Sequence, residues 1–115
     1  MPQGSGGAGI EFVEITEESL NSGTLTSEQA NALLNGAFLK ITSENYIMNI
    51  IPVTYGSLHK TNNKVVGVDL YYNFRIFEND VVTEILICVT ITLEPLEATY
   101  KMELYTHNVT HLQSS

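Results

Sequence analysis

One cysteine, no tryptophan, three prolines and five basic side chains in 115 residues exclude more than they assign. With Cys88 alone there can be no intrachain disulfide, so stability has to come from packing or assembly. The lack of Trp leaves the stacking platform usual in carbohydrate modules weak. Thirteen acidic residues against five basic ones leave a net charge of −8, a field that repels phosphate backbones and argues against a nucleic-acid partner. No apolar run approaches the ~18 residues a membrane-spanning helix needs. The longest candidate, residues 85–93, is broken by Thr90 and Thr92 and reads as a strand.

What is present is 43% hydrophobic and 16% charged, the composition of an ordered globular chain of one-domain size. Residues 1–9 (MPQGSGGAG) form a Gly/Ser-rich arm without the charged and apolar regions of a secretory signal, so synthesis in the cytosol is expected. The first basic residue is Lys40, while Glu11, Glu14, Glu17, Glu18 and Glu28 all precede it. A solvated face accounts for these carboxylates, and a docking surface for a basic partner or cation is the sharper alternative.

One helix is written into local chemistry. In TSEQANALLNG, Thr26 at the N-cap and Gln29 at the third helical position form a capping box, Leu25 can pack on Ala30, and Gly36 supplies the left-handed stop. The helix should span Ser27–Leu34, about two turns, which is too short to persist without tertiary contacts. Ala30, Leu33, Leu34 and Ala37 form its apolar side, to lie on a sheet or cover an open end of one.

Around it the chain reads as strands. Residues 10–15 (IEFVEI) predict a short strand and residues 38–41 another, fed by the helix. Residues 46–55 (YIMNIIPVTY) predict one extended run interrupted by Pro52, followed by a polar turn over 57–63 (SLHKTNN). Residues 64–77 predict a long strand with a bulge near Gly67. The strongest strand is Val81–Leu93, with Val81, Ile85, Ile87, Val89, Ile91 and Leu93 facing the core. Residues 99–105 return with Tyr100, Met102 and Leu104 inward. The expectation is one mainly β, antiparallel domain over residues 10–105, built as a meander, sandwich or barrel, with a frayed tail over 106–115.

No strong catalytic, metal or cofactor signature emerges. His107 and His111 stand four apart but lack the Glu and third ligand of a zinc motif. Asn108, Val109 and Thr110 match a glycosylation triplet, taken as chance. Cys88 has apolar strand neighbours and no nearby His, as a buried thiol would. Asp69 and Glu84 read as single carboxylates on a solvent face, not an acid/base pair. The adjacent Tyr71 and Tyr72 are the candidate surface contact: on a strand one packs inward and the other can meet a sugar or a protein.

The helical start GTLTSEQANALLNG, followed by extended segments and closed by the alternating strand ILICVTITL, resembles small modules of phage virion proteins, of the tail-fibre and head-fibre kind in gut-bacterial phages. The likeness rests on Gly23, Thr24, Leu25, Thr26, Glu28, Gln29, Leu33 and Leu34 together with strand order. It lacks the "YYY" run after the helix, where YIMNIIP stands instead. The resemblance implies a non-enzymatic structural or attachment component of a virion, a fibre, head-fibre or decoration module. It further implies a homo-oligomer, a trimer favoured over a dimer, in contact with other virion proteins. Two alternatives stand beside it: an adhesion module binding a host surface glycan, and a small bacterial ligand-binding or enzyme domain with the helix closing a barrel mouth.

Overall fold

The computed structural model describes residues 11–16, 22–42 and 49–108. The arm over residues 1–9, Ile10, residues 46–48 of the expected extended run and residues 109–115 of the expected tail lie outside them. Strand β1 (Phe12–Thr16) is followed by β2 (Ser22–Leu25), helix α1 (Ser27–Leu34), β3 (Phe38–Thr42) and β4 (Asn49–Ile51). Then come β5 (Tyr55–Thr61), β6 (Lys64–Glu78), β7 (Val81–Leu93) and β8 (Leu96–Asn108). The strands form a three-stranded sheet, β1-β3-β4, and a five-stranded sheet, β2-β8-β7-β6-β5. The domain is mainly β, as the period-two pattern implies. Among the described residues no barrel closes, because β5 and β2 stand at opposite edges of the large sheet.

The long meander β5 to β8 is made by tight turns. Asn62 and Asn63, then Asn79 and Asp80, all have positive φ, so both two-residue links take the left-handed conformation that suits twisted hairpins and that Asn and Asp tolerate. The third link, Glu94-Pro95, carries a cis peptide bond. Register slips once, between His59 and Lys60, where His59 faces Gly67 and Lys60 faces Val65. Val66 is therefore the extra residue of a bulge beside Gly67. A Cβ on Gly67 would stand 2.7 Å from the Ile91 carbonyl oxygen, so the close backbone approach requires glycine.

Between the sheets lies the core. Val13, Ile15, Leu39, Ile41 and Ile51 of the small sheet meet Val68, Tyr72, Ile85, Ile87, Val89, Ile91, Tyr100 and Met102 of the large one. Ala30 and Leu33 of α1 complete it on the β8 and β1 side. The capping box forms as expected: Gln29 N–H donates to Thr26 Oγ1 at 3.0 Å and Thr26 N–H donates to Gln29 Oε1 at 2.9 Å. Gly36 has φ +99°.

Several expectations need correction. Residues 57–61 are strand, not turn: all seven residues of β5 are exposed at the sheet edge, so no burial imposes an apolar alternation on them. The extended run divides at Pro52, with β4 in the small sheet and β5 in the large one. β2 was not anticipated, because its four residues pair with the distant β8, Gly23 opposite Tyr100. The strands are not all antiparallel: β1 and β3 run parallel, from Phe12 opposite Phe38 to Thr16 opposite Thr42. Parallel partners need a long crossover, and β2 with α1 supplies it. Leu104 is exposed although it shares the alternation of Tyr100 and Met102. β8 also continues to Asn108, three residues into the segment expected to fray.

Candidate functional site

The face of the large sheet turned away from the core carries the polar and aromatic side chains, and no described element packs across it. Alternation places Tyr71 and Asn73 of β6, Leu86 and Cys88 of β7, and Lys101 and Glu103 of β8 there. The register aligns them in two rows, Tyr55-Tyr71-Cys88-Lys101 and Asn73-Leu86-Glu103. In the first row the central strand contributes the short Cys88 between the longer Tyr71 and Lys101. A groove of about 470 Å³ results, with Leu86 and Cys88 at its floor, Tyr55, Tyr71 and Asn73 along one wall, and Lys101 and Glu103 along the other.

Tyr55 and Tyr71 stack, ring centroids 4.5 Å apart and planes 17° from parallel. The Tyr71 hydroxyl donates to Asp69 Oδ2 at 3.4 Å, and the same oxygen lies 3.0 Å from His59 Nε2. The Tyr71 phenol is held above its ordinary pKa, first by Cys88, then by loss of solvent and by Asp69. Cys88 is half-buried, and its Sγ lies 3.9 Å from Thr90 Oγ1.

Further along this face, Asn73 Nδ2 donates to Glu84 Oε2 at 2.9 Å, and Arg75 and His107 lie 3.5 and 3.7 Å from the same carboxylate. The Glu84 carboxyl is lowered below its usual range, chiefly by the Asn73 hydrogen bond and further by Arg75 and His107 against a desolvation that raises it. Glu103 raises the Tyr105 phenol, by its charge and by accepting its hydroxyl at 3.2 Å. Asp69 and Glu84 are thus partnered carboxylates, not bare surface groups.

Both candidate tyrosines line the groove, but Tyr71 lies on its open face whereas Tyr72 borders it from the strand and packs into the core. Adjacent strand residues face opposite ways, so the Tyr72 ring is 1% exposed in the core, and burial pushes its phenol up to about 12. Tyr55, Asn73, Cys88, Lys101 and Glu103 were missed as a group. Only pairing across four strands joins them, and no sequence spacing encodes it. His107 lies on β8 near Glu84, while His111 lies outside the described residues. Among the described residues no group of three or more His, Cys, Asp or Glu is placed to hold a metal ion, and no helix is long and apolar enough to cross a membrane. Compared with known proteins, the chain matches no family model, no curated protein and no solved structure.

Proposed function

We propose that this chain is a non-enzymatic structural or attachment module of a phage virion, of fibre, head-fibre or decoration type, acting as a homo-oligomer with a trimer favoured. The resemblance of GTLTSEQANALLNG and the strand order supports the virion context. The observation that carries assembly is the free end of the large sheet. β5 reaches along β6 only to Tyr71, and β2 reaches along β8 only to Lys101. Among the described residues, β6 over residues 75–78 and β8 beyond Lys101 therefore have no outer strand.

Such edges carry unpaired amides and carbonyls that a neighbouring chain can satisfy. Phe77, 68% exposed, and Leu104 and Tyr105, each 45% exposed, add apolar surface at the same end. Other virion proteins are the further partners in this reading, and the virion is its location.

Light scattering on the purified chain tests assembly: a homo-oligomer at micromolar concentration is expected, and Phe77→Glu should weaken it. A stable monomer would overturn assembly through this end. Mass spectrometry of purified phage particles tests the context, with the chain among the particle proteins as the expected result. The groove beside Tyr55 and Tyr71 favours a second reading, an adhesion module.

A further inference from the structure

The geometry points to the groove along β7 as a binding site for a neutral saccharide, which deepens the attachment reading of this face. Its volume of about 470 Å³ falls in the range of small-molecule sites, roughly 300–1,000 Å³. Its chemistry is mixed in the way a pyranose ring is mixed. Sugars present C–H groups on the ring faces and hydroxyls around the rim, so they need an apolar or aromatic surface beside fixed polar groups.

Here Tyr71 and Tyr55 supply the aromatic wall, and Leu86 the apolar floor. Two aromatic rings locked against each other present their surface with little rotamer freedom left to lose. The Asp69 carboxylate, held in turn by His59, fixes the Tyr71 hydroxyl.

Polar groups for the hydroxyl rim stand on both sides of the groove. Asn73 offers an amide, whose nitrogen is already oriented by Glu84. Lys101 and Glu103, two residues apart on β8, offer an ammonium donor and a carboxylate acceptor. Their charges offset each other, and the chain as a whole carries −8, so the site favours an uncharged sugar over a uronic or sialic acid. Cys88 on the floor is a reporter, the sole thiol of the chain.

Titration calorimetry of the full chain with cellobiose, lactose and diacetylchitobiose tests the site, with a glucuronate disaccharide as the anionic arm. Saturable millimolar binding of at least one neutral disaccharide is expected, and the same sugar should slow alkylation of Cys88 by iodoacetamide. Tyr71→Ala and Tyr55→Ala should each weaken binding about tenfold, whereas Glu94→Gln, in the turn between β7 and β8 and outside the groove lining, should stay near the parent value. Melting curves identify any variant that fails to fold.

Absence of binding by all three neutral sugars to the folded parent chain would overturn the proposal. So would tighter binding of the anionic sugar, or neutral-sugar binding that neither protects Cys88 nor responds to the folded Tyr55→Ala chain. The two readings fail separately. A chain that enters particles but binds no sugar refutes the groove alone, and one that binds sugar but is missing from particles refutes the virion context alone.

Discussion

The Tyr100 ring lies across Gly23, its partner on the neighbouring strand: a Cβ built on Gly23 would stand 2.6 Å from the tyrosine hydroxyl oxygen. Glycine at an edge strand usually weakens it, and here the aromatic ring covers the bare backbone. Gly23→Ala should therefore cost about 1–3 kcal/mol by pushing Tyr100 out of its core position. Denaturant unfolding measures this, and an unchanged midpoint would mean that the ring moves freely.

The capping box anchors an eight-residue helix that holds Ala30 and Leu33 in the core. Thr26→Ala or Gln29→Ala should each cost about 0.5–2 kcal/mol, because each leaves a helix-end amide without its partner. At Gly36 the positive φ sets a different penalty. Gly36→Val should cost about 1–3 kcal/mol from backbone strain, although the added side chain meets open space. Equal melting temperatures for all three variants and the parent would contradict this account.

Core and surface changes should separate sharply. Ile87→Ala or Ile91→Ala removes a side chain that is at most 1% exposed and should cost about 2–5 kcal/mol. Glu94→Gln, in an exposed turn, should stay within about 0.5 kcal/mol. Thermal melts of the three variants provide the comparison.

Glu84 makes stability depend on acid. Its folded carboxyl titrates below the ordinary value of 4.5, so its contribution is present above that pH and is lost as pH falls through the folded value. Stability should decline on acidification below about 4.5, and the decline should be shallower in Glu84→Gln. Unfolding curves collected from pH 6 to pH 3 check the sign; a steeper decline in the variant would reverse it.

Where information was local, the residues alone were enough. The reciprocal bonds of Thr26 and Gln29, the stop at Gly36 and the full extent of β7 follow from neighbours a few positions apart, and each appears in the structure. The opposite facing of Tyr71 and Tyr72 follows from strand alternation in the same way. β5 was harder to read because its seven exposed residues carry no burial signal.

Tertiary structure alone decided the parallel pairing of β1 with β3, the addition of β2 beside β8, and the stacking of the small sheet over Ile85, Ile87, Val89 and Ile91. It also decided the groove. Tyr55 and Tyr71 are 16 positions apart and Lys101 is 30 beyond Tyr71, yet one hydrogen-bonded row aligns them across four strands. Apolar periodicity specifies which face of a strand is buried, but it does not specify which strand lies alongside. That choice is made by the register of the whole sheet, through turn geometry and the shape of the shared core.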